Sequence, residues 1–259
     1  MIGFDCHAHV FEDTAVVAGA RYRPVSPAPL SEWLAHQRAH GLKGGVIVQV
    51  SFLGTDNTQL CAALSKLDRQ LFCGVGVVPL DVEDKALDAL VAAGIRGLRW
   101  NLVRGGDVPD MEAALTQTFF EKLRRRNLHL EVHLEGPRLA KLLGPLSAQG
   151  VAVVVDHFGL PSEPDPAADP MINAVRGLSD RSTLFFKFSG HYRSPFDLAP
   201  HAHALREALP SEHVVWGSDW PHTQYEARTS YGRTHKAIRD WGCWHDGPAV
   251  SLLYGVVET

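Results

Sequence analysis

Residues 128–157 read LHLEVHLEGPRLAKLLGPLSAQGVAVVVDH. The first seven alternate strictly. Leu128, Leu130, Val132 and Leu134 fall on one side, and His129, Glu131 and His133 on the other, the period-two pattern of a strand. Pro137 then stands near a helix start, where a missing N–H costs nothing. A Leu- and Ala-rich stretch runs to Gln149 and stops at Gly150, a residue suited to ending helices. A second β-rich run, 151–157, follows. Strand, helix, strand in that order is the crossover that parallel strands require.

The same unit recurs in both directions. Strands are expected over 2–7, 45–51, 71–78, 95–101, 128–134, 151–157, 183–189 and 213–219. Helices are expected over 30–40, 57–68, 83–93, 111–126, 137–149, 170–178, 197–208 and, more weakly, 234–241. Eight β-then-α units in 259 residues point to an α/β fold, a (β/α)8 TIM barrel. A doubly wound open sheet is the alternative, but no strand is followed by a glycine-rich nucleotide fingerprint. No boundary interrupts the chain, so 1–259 reads as one barrel domain. Two loop-like stretches, 21–29 and 161–170, follow strands. In a barrel both lie on the carboxyl-end rim, where active sites are built. The segment 251–259 acquires no role.

Composition excludes several classes. Hydrophobic residues make up 45% and charged residues 21%, ordinary for a globular chain. The apolar runs are too short to span a bilayer, so no membrane partner is expected. No basic region followed by a long apolar stretch opens the sequence, so a secretory leader is not expected. Lys+Arg 25 against Asp+Glu 29 gives a net charge of −4, which argues against a nucleic-acid binder. Cys6, Cys61, Cys73 and Cys243 show no C-x-x-C spacing and are expected to be free thiols of a cytoplasmic protein. A homo-oligomer is left open.

The chemistry lies at strand ends. His7 and His9 are two apart on the first strand and face the same way. His201 and His203 share that spacing but fall on an expected helix, where they diverge, and are read as surface residues. His133 closes strand 5, with His129 and Glu131 read as a buried polar layer beneath it. His157 ends strand 6 and Asp219 ends strand 8. Three imidazoles and one carboxylate from His7, His9, His133 and Asp219 suit one divalent ion, zinc above all. His157 would then orient or activate a water, and Asp219 would take its proton. Arg99, Arg104 and Arg193 follow or close strands, with Arg21 flanking Tyr22. Guanidinium groups there suit a carboxylated substrate. Lys187, inside strand 7, is divided between substrate and internal ion pairs with Glu131 or Asp156. Arg124, Arg125 and Arg126 end a helix and read as a solvated cap.

Several segments together resemble the amidohydrolase superfamily, in the branch containing 2-pyrone-4,6-dicarboxylate lactonase and related lactone hydrolases. They are FDCHAHVFE (4–12), GVIVQVSFLGTDN (45–57), GIRGLRWNL (94–102), VAVVVDHFGLP (151–161), LFFKFSG (184–190) and VVWGSDWPH (214–222). The resemblance implies a barrel that opens a lactone by water attack. It gives roles to His7, His9, His157 and Asp219, with Asp219 activating the water. It also places Tyr22, Ser51, Arg99 and Arg193 against a small carboxylated lactone, aromatic- or sugar-derived. Histidine at 133 is similar to the metal-dependent relatives, whereas the pyrone enzyme carries tyrosine there and uses no metal. Two other readings keep the same barrel: a metal-dependent decarboxylase of an acidic substrate, and a non-catalytic anion-binding protein.

Overall fold

The computed structural model describes residues 3–242 and 247–256. Its strands are β1 (Phe4–Ala8), β2 (Gly44–Val48), β3 (Phe72–Gly76), β4 (Ile95–Asn101), β5 (His129–His133), β6 (Val153–Val155), β7 (Leu184–Phe188) and β8 (Val214–Trp216). Between and after them run α1 (Leu30–Ala39), α2 (Thr58–Leu64), α3 (Asp84–Ala92), α4 (Ala114–Arg125), α5 (Gly136–Ser147), α6 (Pro170–Gly177), α7 (Ala199–Ala208), α8 (Tyr231–Trp241) and α9 (Gly247–Tyr254). The strands pair in parallel in the order β1 to β8. The ring closes where Ala8 bridges Trp220, with His9 N–H donating to Trp220 O and Asp219 N–H to His7 O, each at 2.7 Å. This is a (β/α)8 TIM barrel. A doubly wound sheet would reverse its strand order partway.

Alternation sets the two cores. Outward residues of β5 to β8, such as Leu130, Val153, Phe186 and Trp216, join the helices in the outer core. Inward residues Phe4, Cys6, Val48, Val75, Val154, Phe185 and Val215 form a second core inside the barrel. Ala249, Val250, Leu253 and Tyr254 of α9 belong to this inner core. The ring of Tyr254 meets that of His129, at the amino end of β5, edge-on at 5.2 Å. Helix α9 therefore plugs the barrel's amino end. Residues 251–254 of α9 fall in the stretch for which no role was expected; their short apolar pattern finds a partner only once the barrel is closed.

One irregularity re-aims the first strand. Along β1, Phe4 pairs Gly44 and Asp5 pairs Gly45, but Ala8 pairs Ile47. One extra residue on β1 makes this a β-bulge. Before it, Phe4 and Cys6 point inward, while Asp5 points outward to Trp33 and Tyr231, whose side chains donate to its carboxylate. After it the parity flips. Ala8 joins the outer core and His7 faces the barrel interior.

Three expectations need correction. His201 is fully buried, stacked on Phe196 at 5.5 Å, because α7 turns that face inward; only His203 is exposed. Arg126 is not merely a solvated cap. It bridges to Asp84 and Asp88 of α3 at 2.7 Å each. Strands β6 and β8 end earlier than expected, because the chain turns left-handed at His157 (φ 53°) and Asp219 (φ 58°). Cys243 lies outside the described residues. Among the described residues no helix is long and apolar enough to cross a membrane.

Candidate active site

At the carboxyl end of the barrel three imidazoles converge on one carboxylate oxygen. Oδ1 of Asp219 lies 3.8 Å from His7 Nε2, 3.6 Å from His9 Nε2 and 4.0 Å from His157 Nε2. Each ring is steered from its other nitrogen. His9 Nδ1 sits 2.8 Å from Val48 O. A carbonyl only accepts, so Nδ1 carries a proton and Nε2 is turned toward Asp219. His157 Nδ1 meets Ser189 Oγ at 2.8 Å. His7 Nδ1 lies between Asp156 Oδ1, at 3.3 Å, and Lys187 Nζ, at 3.2 Å.

The other oxygen of Asp219 is saturated. Tyr192 Oη donates to Oδ2 at 2.5 Å, Arg193 Nε donates to it at 2.8 Å, and Arg193 Nη2 forms an ion pair with it at 2.8 Å. Burial pushes the Asp219 carboxyl up, but the Arg193 guanidinium and the His157 imidazole outweigh it and hold it well below its ordinary range. Burial opposes the charged form of His7, His133 and His157. Burial lowers His7 to about 3, against the pull of Asp156. It lowers His133 and His157 well below 6.5.

These residues fit a divalent cation. His7 Nε2 and Asp219 Oδ1 are buried without a hydrogen-bond partner, an arrangement that costs free energy unless something else satisfies them. Spacings of 3.6–4.0 Å are too long for hydrogen bonds. They approach the roughly 3.4 Å that tetrahedral ligands with bonds near 2.1 Å would show. The donors are a carboxylate and neutral imidazoles, the forms that bind metal.

Of the expected ligands, His7, His9 and Asp219 come together, and His157 stands with them. His7, His157 and Asp219 offer ligand atoms all within 4.8 Å of one another. His133 sits one imidazole further off. It packs edge-on to His157 at 4.8 Å, groups with Asp156 and His157, and has Nδ1 3.2 Å from Arg99 Nη2. His157 thus comes within 4.0 Å of Asp219 Oδ1, while His133 keeps a ligand atom within 4.8 Å of His157 and Asp156.

Beneath the imidazoles runs a buried charge layer. Arg99 Nε donates to Asp156 Oδ2 at 2.8 Å; Lys187 pairs with Glu131 and lies 3.7 Å from Asp156. Two cations face two carboxylates, so the layer is neutral as a unit. Lys187 is thus an internal partner rather than a substrate contact. Burial raises the Asp156 carboxyl, yet Arg99, His7 and Lys187 bring it well below 3.8.

Above lies an open cleft, lined by His9, His133, His157, Arg99 and Arg193 below and by Arg21, Tyr22, Ser51, Arg104 and Gln224 toward the mouth. The expected substrate-facing residues Tyr22, Ser51, Arg99, Arg104 and Arg193 all reach it. Tyr22 shares a side-chain hydrogen bond with Ser51, and burial raises its hydroxyl pKa. The 161–170 loop adds no lining residue; Asp169 pins it by accepting from Ser162 and Glu163 N–H groups. Tyr192 and Ser189 escaped the sequence reading. Ser189 is two residues beyond Lys187 and shares its inward parity, a signal that was present. Tyr192 adjoins Arg193, but nothing in the sequence aims its hydroxyl at Asp219.

The sequence matches the Amidohydrolase family over residues 4–248. It is 30% identical to the 4-sulfomuconolactone hydrolase of Rhizobium radiobacter over 236 residues, covering 86% of this chain and 76% of that protein. It is 27% identical to the 2-pyrone-4,6-dicarboxylate hydrolase of Comamonas testosteroni over 247 residues, covering 84% and 76%. The structure resembles that of a probable 2-pyrone-4,6-dicarboxylic acid hydrolase from Acinetobacter baumannii with citric acid bound. The TM-score is 0.87 at 30% identity, covering 98% of this chain and 100% of that one.

Proposed function

The chain belongs to the amidohydrolase family, and from that premise we propose that it is a lactone hydrolase, opening a small carboxylated lactone by attack of water on the ester carbonyl. The observation that carries this reading is the convergence of His7, His9 and His157 on Asp219 Oδ1 at the floor of an arginine-lined cleft. Two relatives, at 30% and 27% identity, are by name hydrolases of 4-sulfomuconolactone and 2-pyrone-4,6-dicarboxylate, a third at 26% is a D-galactarolactone isomerase, and the A. baumannii structure holds citric acid.

Asp219 is the base. Its Oδ2 is occupied by Tyr192 and Arg193, so Oδ1 receives the proton of the attacking water and later returns it to the leaving alkoxide oxygen. His157, braced by Ser189, holds the water or the carbonyl oxygen in line. His7, His9, His157 and Asp219 would hold a divalent ion, with His133 behind them. When bound, such an ion polarises the carbonyl and makes water more acidic. Three imidazoles and one carboxylate favour zinc among the candidates. Tyr22, Ser51 and the cleft arginines orient the ring. We place this single catalytic barrel in the cytoplasm, on the free thiols of Cys61 and Cys73.

The decisive variant is Asp219→Asn. Loss of the base should lower kcat by about 10²–10⁴-fold in a lactone panel read by acid release, and a parental rate would sink the mechanism. Elemental analysis of protein purified without chelators should find about one zinc per chain. Full activity in metal-free protein would overturn the zinc assignment alone.

A further inference from the structure

Among the described residues the cleft walls carry four arginines and no carboxylate side chain, Asp219 lying buried behind the histidines of the floor, yet the four are not equivalent. Arg99 is neutralised by Asp156 and leans on His133. Arg193 gives Nε and Nη2 to Asp219, with its guanidinium 5.1 Å from the Tyr225 ring centroid. Both lie low in the cleft, largely out of solvent. Arg21 and Arg104 are exposed at the mouth, and among the described residues neither side chain has an ion-pair partner. The acid nearby, Glu135, accepts the backbone N–H of Arg104 and pairs with Arg138 at 3.1 Å.

We propose that Arg21 and Arg104 form the subsite that reads the acid group of the substrate, and that Arg21 is a specificity-determining residue. This rests on the lactone hydrolase reading and adds where the charge is recognised. The two guanidiniums come from different loops and are aimed by neutral acceptors. Arg21 Nη1 donates to Val103 O at 2.5 Å, and Arg104 Nη2 donates to Gln224 Oε1 at 3.2 Å. A guanidinium has five N–H donors, so both keep several for a ligand. Burial and the nearby charges of Arg99 and Arg104 lower the Arg21 pKa. Burial is the larger cause, and the Arg99 and Arg104 guanidiniums add like charge beside Arg21 that a bound oxyanion would offset. The scissile ester must reach Asp219 on the floor. The acid group read at the mouth therefore lies on the side of the ring remote from that ester. A planar carboxylate or a tetrahedral sulfonate both satisfy this chemistry.

The experiment has a binding arm and a turnover arm. Titration calorimetry at low salt would compare benzene-1,3-dicarboxylate with benzoate, on the full chain and on Arg21→Gln, Arg21→Lys and Arg23→Gln. Arg23 shares the loop but does not line the cleft. Losing a charged hydrogen bond, Arg21→Gln should weaken the dicarboxylate about tenfold and benzoate much less. Arg21→Lys should recover part of the loss, and Arg23→Gln should match the parent. In turnover, Arg21→Gln should raise KM for a carboxylated lactone while kcat holds. Equal losses on both probes, or no loss on the dicarboxylate, would overturn the subsite. A parent that opens no lactone would instead remove the hydrolase reading, and the binding arm would still decide the role of Arg21.

Discussion

The chemistry of single residues here depends on backbone positions that ordinary side chains avoid. Asp219 and His157 both hold φ near +55° (58° and 53°), a left-handed region uncommon outside glycine. Asp219 is kept there by its N–H bond to His7 O, and the turn points its carboxylate across the barrel. Gly190 plays the complementary part. At φ 58° it has room only for hydrogen, since a Cβ there would come 2.7 Å from His157 Nδ1 and 3.1 Å from Arg193 Nε. Gly190→Ala should therefore push His157 off Ser189 and loosen the Arg193 clamp. We expect kcat to fall about 10²-fold while circular dichroism still shows a folded barrel. Unchanged kinetics would mean that His157 tolerates displacement.

Among the elements, β1 and α9 do most to shape the interior. The bulge in β1 lets one strand serve two environments: Asp5 anchors helices α1 and α8 from outside, and His7 reaches the site from inside. Helix α9 seals the opposite end with Val250, Leu253 and Tyr254. Truncating Leu253 leaves a cavity against the inner core. Leu253→Ala should cost about 2–5 kcal/mol in urea unfolding. A cost near zero would mean that the plug rests on the barrel without packing into it. The strands and helices themselves were legible in the sequence, because their periods and glycine stops are local signals. The bulge was not. Its extra residue becomes visible only against the register of β2.

For the molecule as a whole, the buried site links folding to pH. Burial keeps His7, His133 and His157 neutral, with pKa values below the ordinary 6.5. The unfolded chain takes up protons that the folded chain refuses. Stability is therefore lost as pH falls below about 6.5, and for His7 the loss continues down to about 3. Asp156 and Asp219, held below 3.8, add stability that is present above about pH 4 and lost at lower pH. The metal-free protein should show a thermal midpoint falling by on the order of 5 °C between pH 7 and pH 5. A flat profile would contradict neutral burial of the three histidines.

What the sequence determined by itself was the barrel and the strand ends that carry chemistry. Strict alternation in 128–134 and the order of eight β/α units are patterns along the chain, and each strand's carboxyl end follows from its direction. Which side chains meet was decided only by tertiary structure. His157 rather than His133 stands beside Asp219, and Arg99 and Arg193 are spent on Asp156 and Asp219. Such partnerships depend on how far each strand is staggered against its neighbours and where the chain leaves the sheet. Coulomb and hydrogen-bond energies change over a few ångströms, a scale that residue spacing along one strand does not carry to another.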